Sequence, residues 1–237
     1  MTISTKDIDV VYVCKQSPEN EELRYSLRSL KNLVGIRKVW IYGYKQPWIT
    51  NVEYVPIVQD GKTKWDNAGK QLRAICENDN ITEDFILFND DFFVCKKTSE
   101  IPAFYDRTLS ARIGDFLKAY KWNFWTNYAR RLKQAKEEML RKGYTSYNFE
   151  VHYPMIFNRK KLAEICETYK DYGCKRSFYG NIYTTQRQQV SDCKLYKLDD
   201  KPTGKEIFLS SMDSTFNKGE IGKYIRQKFN KPCKYEL

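Results

Sequence analysis

The first third of the chain alternates short apolar segments with amphipathic ones, and this alternation restricts the fold more than any other feature. Buried strands are predicted in the runs IDVVYVC (8–14), RKVWIYG, NVEYVPIV and DFILFND. Helices are predicted in SPENEELRYSLRSLKNL, with a cap-like Ser17 and Pro18 in its first turn, and in WDNAGKQLRAICEN. Strands that alternate with helices in this way favour an α/β fold with an open, mostly parallel sheet flanked by crossover helices.

The remainder of the chain adds a helical insertion to this sheet. Residues 108–143 contain no proline and end at a helix-stopping Gly143, which predicts a helical insert at about 108–147. Its apolar side chains are interpreted as core, as a lid or as an acceptor platform: Trp122, Phe124, Trp125, Tyr128 and Leu132. The last third predicts a helix in NRKKLAEICETY, a strand in EIFLSSMD and a basic helix in GEIGKYIRQKF. We predict one domain over residues 1–237.

The charge balance favours polyanionic partners. The chain carries 41 Lys and Arg against 30 Asp and Glu, a net charge of +11. Such an excess suits nucleic acid, an anionic polymer, a nucleotide diphosphate or an anionic membrane face, and it is equally compatible with a basic surface that has no polyanion partner.

Cysteine usage and hydropathy indicate the compartment. The seven cysteines are scattered and include no Cys-x-x-Cys pair, which argues against a disulfide framework and a structural zinc site. The first residues lack the pattern of a signal peptide, and no apolar run approaches a membrane span. We therefore expect a cytoplasmic protein, in a bacterial or virus-infected host cell, that is at most peripheral to a membrane.

Two adjacent carboxylates interrupt the most apolar part of the chain. In DFILFNDDFFVCK, Asp90 and Asp91 follow a predicted buried strand directly. Ligands of open α/β sheets bind beyond the carboxyl ends of the strands, and paired carboxylates suit magnesium or manganese. An exposed turn would also accommodate Asp-Asp, so both interpretations stay open at this point.

Three further side chains are candidates for chemistry. His152 is the only histidine in the chain, and an imidazole can take a proton from an attacking hydroxyl near neutral pH. A packed, hydrogen-bonded histidine is the alternative. Arg176 could stabilise phosphate charge, and Asp213, after the predicted strand in EIFLSSMD, could orient a base, complete a metal site or cap a turn.

The chain contains, in this order, the blocks IDVVYV, ENEELRYSLRSLKNLVGIRKVWIYGYKQPWI, FILFNDDFFV, VHYPMIFNRKKLAEI with RSFYGN, IFLSSMDSTF and IRQKFNKPCKYE. In this order they resemble the sequence blocks of the Stealth family of sugar-1-phosphate transferases, which includes capsule polymerases. The resemblance covers most of the chain outside the helical insert. ELRYSLRSL and FNDD are its most specific parts. The Trp-Val-Asp-Gly-like segment usual after the family's first strand is replaced here by VCKQSPEN.

The resemblance implies a GT-A-like core and transfer of hexose 1-phosphate from a nucleotide-sugar donor to a hydroxyl of a glycan or other polymer. It implies catalytic roles for Asp91, His152, Arg176 and Asp213, and it places Asp90 and Asp91 where a divalent ion, Mg²⁺ or Mn²⁺, or the acceptor is held. We expect donor contacts from five residues near these blocks: Lys15, Gln16, Arg24, Arg28 and Asn89.

Two alternatives remain open from the sequence. One is a GT-A glycosyltransferase that transfers the sugar itself, with hydroxymethylated bases of viral DNA as an acceptor that suits the positive charge. The other is a nucleic-acid-binding or polymer-binding module without turnover, in which aromatic side chains of the helical insert stack on bases or sugars.

Overall fold

The computed structural model describes residues 4–119 and 127–237, and its internal contacts divide the chain into two compact units. The first unit comprises Met1–Ile101, His152–Arg159 and Asp192–Leu237, and the second comprises Pro102–Val151 and Lys160–Ser191. The single catalytic domain stays a prediction. All the residues of the site described below, except Arg176, belong to the first unit.

The described residues form nine strands and eight α-helices. The strands are β1 (Asp9–Cys14), β2 (Val39–Gly43), β3 (Glu53–Pro56), β4 (Asp84–Phe88), β5 (Phe92–Val94), β6 (Ala103–Tyr105), β7 (Met155–Asn158), β8 (Arg187–Gln189) and β9 (Phe208–Ser210). The helices are α1 (Glu21–Ser29), α2 (Lys64–Glu77), α3 (Leu109–Ala119), α4 (Asn127–Arg141), α5 (Arg159–Thr168), α6 (Lys175–Tyr183), α7 (Asp213–Lys218) and α8 (Glu220–Lys228).

The central sheet of the first unit has the strand order β3-β2-β1-β4-β7. Strand β1 pairs in parallel with β2 and β4, β2 pairs in parallel with β3, and only β7 at the edge runs antiparallel. The predicted open, mostly parallel α/β sheet is therefore confirmed. Parallel pairing brings the carboxyl ends of β1 and β4 to the same edge, and this position creates the site.

The first helix begins later than the sequence indicates. Ser17 and Pro18 lie before it, and Asn20 caps it with a side-chain oxygen that accepts from the Leu23 N–H at 3.2 Å. The predicted cap at Ser17 is wrong because Asn20 takes a left-handed conformation, with φ of 46°, that asparagine tolerates well. The cap also directs the Asn20 amide nitrogen toward Asp90.

The chain leaves the central sheet directly after β4. Strand β5 pairs antiparallel with β9 in a separate two-stranded sheet. Two serines of α1 secure this change, because Ser26 Oγ donates to the Phe92 carbonyl at 2.5 Å and Ser29 Oγ accepts from the Val94 N–H at 3.0 Å. Phe93 stacks on Phe216 of α7 with ring centroids 5.8 Å apart. The residues Asn89, Asp90 and Asp91 thus connect two sheets.

The second unit contains the helical insertion. Helices α3 and α4 confirm its helical character, and Gly143 follows with φ of +78°, as expected for a residue that ends a helix. Leu132 is buried, and Tyr128 packs edge-on against Phe116. Trp122, Phe124 and Trp125 lie outside the described residues. Within the described ranges, no helix has both the length and the hydropathy that a bilayer span requires.

Asp9 illustrates how this fold treats a buried carboxylate. The side chain is 0% exposed at the amino end of β1, where Arg37 donates to both of its oxygens at 2.8 and 2.6 Å and Trp40 Nε1 donates at 2.9 Å. Burial opposes its ionisation, but these hydrogen bonds more than compensate and hold the pKa of Asp9 below its ordinary value.

We predict that Asp9→Asn lowers the free energy of unfolding by about 2–3 kcal/mol at pH 7, because an amide cannot accept the bonds of Arg37 and Trp40 as a carboxylate does. The contribution of Asp9 is complete above the ordinary carboxyl pKa of 3.8 and is lost as pH falls through its lower folded value. Urea denaturation at pH 7 and pH 3 measures both effects. The control is Lys38→Met, which breaks an exposed ion pair with Glu53 and should cost less than about 0.5 kcal/mol. Equal losses in the two variants would contradict the prediction.

Candidate active site

A cleft of about 450 Å³ opens at the carboxyl ends of β1 and β4. Its carboxylates come from the β4–β5 connection, from α1 and from α7, and its lysines from three separate segments. The charged lining residues are Lys15, Glu22, Lys64, Asp90, Asp91, Lys194 and Asp213. A polar cleft thus lies at the carboxyl edge of the sheet, where the sequence predicts the site.

Asp90 lies half-buried at the floor of the cleft. Its Oδ2 accepts from Asn20 Nδ2 at 2.9 Å. Burial, reinforced by the neighbouring Asp91 carboxylate, raises the pKa of Asp90 above its ordinary value. Unlike Asp9, this carboxylate is not fully compensated by the groups around it.

Asp91 has a cationic partner inside the protein. Lys194 Nζ lies 2.9 Å from Asp91 Oδ2, and Ser210 Oγ donates to the same oxygen at 2.9 Å. Only 15% and 14% of the Lys194 and Asp91 side chains are exposed. The sequence gives no signal for this pair, since 103 residues separate its members.

Glu22 is a third acid of the cleft, and sequence reasoning missed it. It accepts from Ser211 Oγ at 2.5 Å. Burial raises the pKa of Glu22 to about 8, helped by a side-chain hydrogen bond with Asp213 that favours the protonated form and by repulsion from Asp91 and Asp90. The residue lies within the ELRYSLRSL block, but an acid in the first turn of a helix is explained sufficiently by the helix dipole.

Asp213 and Lys15 lie at the rim of the cleft. Asp213 is the first residue of α7, its side chain is 76% exposed, and its Oδ2 lies 3.8 Å from Lys15 Nζ. The structure therefore brings Lys15, Asn89, Asp90, Asp91 and Asp213 from the predicted set into one cleft.

His152 forms a pair with Asp192, a residue that sequence reasoning also missed. His152 Nδ1 lies 2.8 Å from Asp192 Oδ2, and the His152 backbone N–H donates to Oδ1 at 3.0 Å. Burial opposes ionisation of Asp192, but the bonds and charge of His152 outweigh it and lower the pKa of Asp192. An ionised carboxylate only accepts, so Nδ1 carries the proton of the neutral imidazole and Nε2 is left as a proton acceptor.

A short segment joins this pair to the cleft. Asp192 binds His152 and Lys194 binds Asp91, with only Cys193 between them. The segment is fixed along β9, because the Ser210 N–H donates to the Cys193 carbonyl at 3.2 Å and the Leu195 N–H donates to the Ser210 carbonyl at 2.9 Å. The residue that binds His152 and the residue that binds Asp91 therefore belong to one short segment, which is hydrogen-bonded to β9.

The other predicted site residues lie elsewhere. Arg28 is buried, and its guanidinium donates to both Glu236 oxygens at 2.7 Å. Arg24 stacks on Trp48 at 4.5 Å, and Gln16 is exposed. Arg176 lies on α6 in the second unit, which is described by itself. Their donor-binding and catalytic roles stay predictions.

The acid pair does not fit a metal site in its present arrangement. Asp91 Oδ2 is already bonded to an ammonium and a hydroxyl. Within residues 4–119 and 127–237, no three His, Cys, Asp or Glu side chains are grouped closely enough to hold a metal ion. The predicted divalent ion stays a prediction, and no chemical step below depends on it.

Comparison with solved structures returns glycosyltransferases at low similarity. The bifunctional glycosyltransferase WbbM is 10% identical with a TM-score of 0.46, over 95% of this chain and 44% of its own. GlyE from Streptococcus pneumoniae TIGR4 is 11% identical with a TM-score of 0.34, over 79% of this chain and 46% of its own. The galactosyltransferase LgtC, in complex with donor and acceptor sugar analogues, is 11% identical with a TM-score of 0.39, over 80% of this chain and 76% of its own.

The chain thus spans less than half the length of WbbM and of GlyE in its apo form. No family model and no curated protein matches the chain. At these identities and TM-scores, a functional assignment has to rest on the residues of this chain.

We predict that Glu22 makes the folded state less stable as pH rises. Its pKa of about 8 exceeds the ordinary 4.5, so between these values the folded state holds a proton that the unfolded state has released, and the free energy of unfolding falls with increasing pH. Glu22→Gln should flatten the slope of this free energy between pH 5 and pH 8, measured by urea denaturation. The matched control is the adjacent Glu21→Gln. Glu21 pairs with Arg226, which lowers its pKa, so this variant should lose stability equally at both pH values. A wild-type slope in Glu22→Gln would contradict the assignment.

Proposed function

We propose that this protein is a nucleotide-sugar-dependent transferase that moves hexose 1-phosphate to a hydroxyl group of a glycan or another polymer. The observation that carries the proposal is the connection of the His152–Asp192 pair, through one intervening residue, to Lys194 and the acidic cleft. A proton acceptor that is linked through Asp192 and Lys194 to a polar cleft at the carboxyl edge of a parallel sheet suits the attack of a hydroxyl on a bound nucleotide derivative. The resemblance of FNDD, VHYP and ELRYSLRSL to the Stealth blocks narrows the donor to a nucleotide sugar.

The proton transfer follows from the geometry of the pair. His152 Nε2 takes the proton of the acceptor hydroxyl, and the imidazolium that forms is stabilised by the ionised Asp192 on Nδ1. Asp192 also fixes the backbone of His152 through the bond to its N–H, so it positions the ring as well as stabilising its charge.

The phosphoryl transfer is then a substitution at the β-phosphorus of the donor. The acceptor oxygen forms a bond to this phosphorus, the bond to the oxygen that bridges to the α-phosphate breaks, and a nucleoside monophosphate leaves. Lys194, Lys15 and Lys64 line the cleft and supply positive charge for the phosphates. We assign orientation of the acceptor to Asp91 and Asp213, and the catalytic role of Arg176 stays a prediction from the sequence.

The net charge of +11 favours an acidic acceptor. A capsule-like polymer and DNA both fit this requirement, and they differ in the salt dependence of binding. Each phosphate contacted should contribute about one logarithmic unit of affinity per logarithmic unit of salt.

The products decide between transfer of sugar phosphate and transfer of sugar. We predict that a mixture of nucleotide sugars with a radiolabelled β-phosphate, incubated with acceptor polymers, yields nucleoside monophosphate and a labelled polymer. Release of labelled nucleoside diphosphate would show that the sugar alone is transferred. Acceptors such as hydroxymethylated DNA would then be tested next. No consumption of any donor, with saturable polymer binding, would support a binding module instead. Liquid chromatography of the nucleotides and scintillation counting of the polymer measure these outcomes.

We predict that His152→Gln lowers kcat/KM by about a hundred- to ten-thousandfold, because the amide cannot accept a proton at neutral pH. The variant should also lose any dependence of the rate on the protonation of the imidazole. Asp192→Asn should reduce kcat with little effect on donor KM, because the amide stabilises the imidazolium less.

The control for this pair is Tyr196→Phe, which removes only a hydroxyl that donates to Asp192 Oδ2 at 3.3 Å. It should change the rate by less than about tenfold. A His152→Gln enzyme that keeps the wild-type rate and pH profile would end the assignment of His152 as the base.

A further inference from the structure

Lys194 lies beside Asp91, whose enclosed carboxylate requires a cation to balance its charge. Its ammonium lies 2.9 Å from Asp91 Oδ2, Ser210 Oγ donates to that oxygen at the same distance, and both ionic side chains are largely enclosed. An enclosed lysine is costly to keep in the wall of a cleft, since its charge is partly removed from water. Its position therefore requires an explanation in terms of structure or of ligand binding.

The ion pair competes directly with a divalent metal ion. Magnesium binds carboxylate oxygens at about 2.1 Å, so an ion on Asp91 Oδ2 would repel the ammonium that lies within hydrogen-bond distance of that oxygen. The metal would have to displace both the Lys194 ammonium and the Ser210 hydroxyl from Asp91 Oδ2. A built-in ammonium thus supplies positive charge to the cleft without a coordination shell.

When Lys194 supplies the positive charge in place of a metal ion, the other charged side chains of the cleft suit a ligand that carries phosphate. Glu22, with its raised pKa, is largely protonated at neutral pH and contributes little negative charge. Asp90, Asp91 and Asp213 then face three lysines, Lys15, Lys64 and Lys194. Lys194 is the lysine that reaches into the enclosed part of the cleft, while Lys15 and Lys64 are exposed.

We infer that Lys194 is the resident cation of the cleft, which neutralises Asp91 and binds the donor's diphosphate in the place that a divalent metal ion would otherwise take. The identity of the ligand as a diphosphate rests on the proposed function, whereas the competition between Lys194 and a metal ion rests on the ion pair alone. The inference replaces the expected magnesium or manganese with a side chain of the protein.

The first experiment measures binding of Mn²⁺ alone by the loss of its free electron paramagnetic resonance signal. Wild-type protein should show no saturable Mn²⁺ binding with a Kd below about 1 mM, which corresponds to a binding free energy of roughly −4 kcal/mol. Lys194→Met removes the ammonium without removing the acids and should gain Mn²⁺ affinity of at least about tenfold, because Asp90 and Asp91 are left uncompensated. Lys194→Met combined with Asp91→Asn should lose this gain. Lys38→Met, which removes a lysine outside the cleft, is the matched control and should match wild type.

The second experiment measures binding of inorganic pyrophosphate by calorimetry in the presence of EDTA. Wild type should bind without metal, Lys194→Met should bind about ten- to a hundredfold more weakly, and Lys194→Arg should retain part of the affinity, as expected for one charge-assisted contact. If Lys194→Met does not fold, Lys194→Gln, which keeps a hydrogen-bond donor for Asp91, is used in both experiments. A purely structural ion pair would change stability but create no Mn²⁺ site.

Tight Mn²⁺ binding by wild type that is lost in Asp91→Asn would overturn the inference, as would pyrophosphate binding that requires Mn²⁺. Neither measurement depends on turnover. A protein that consumes no nucleotide sugar yet shows the expected exchange between Lys194 and Mn²⁺ would refute the proposed function and retain the resident cation.

Discussion

Burial of β1 between two parallel neighbours decides where this chain can keep its charges. The strand is almost entirely inaccessible along its length, so charged side chains fit only at its two ends. At the amino end, Asp9 receives hydrogen bonds from Arg37, Trp40 and backbone N–H groups, and the result is a carboxylate with a lowered pKa. At the carboxyl end, the pKa values of Asp90 and Glu22 are raised instead. The fold therefore lowers the pKa of the carboxyl group at one end of the sheet and raises the pKa values of two carboxyl groups at the other.

The second unifying element is the segment from Asp192 to Lys194. In an extended chain, alternate residues point to the same side, so two residues separated by one can serve one surface. Asp192 orients the imidazole of His152 and Lys194 neutralises Asp91, and the backbone between them is bonded to β9. One short segment therefore provides both the partner of His152 and the partner of Asp91.

The sequence is sufficient to predict those strands and helices whose signals lie within a few neighbouring residues. Strands β1, β2, β3 and β4 and helices α1 and α2 follow from apolar periodicity, and the parallel topology follows from their alternation. The cap of α1 was misplaced because Ser17-Pro18 is the stronger sequence signal, whereas Asn20 is selected by a backbone conformation that the sequence does not display. Strand β7 was not predicted, because its four residues follow directly on the residues around His152 and carry no periodicity of their own.

The site was predictable only where chemistry coincides with a strand end. Asp90 and Asp91 were found because they follow β4 directly, and His152 because the chain has no other imidazole. Glu22, Asp192 and Lys194 could not be found in this way. Their roles arise from contacts with Ser211, His152 and Asp91, which lie 189, 40 and 103 residues away along the chain. A lysine in a chain with 41 basic residues is uninformative until its partner is known.

The apolar run that is interrupted by two acids has a structural explanation. Strand β4 belongs to the central sheet and β5 to the sheet with β9, so the chain between them must cross from one to the other. Apolar side chains in this connection would be exposed in the cleft, whereas carboxylates can bond to groups from both sides. Asp90 bonds to the cap of α1, and Asp91 bonds to Lys194 and to the last residue of β9. The two acids are consequently not equivalent: Asp90 is held by a neutral amide and has a raised pKa, while Asp91 is paired with an ammonium within the protein. A ligand that brings positive charge would act first on Asp90, and a ligand that brings negative charge would act first on Lys194.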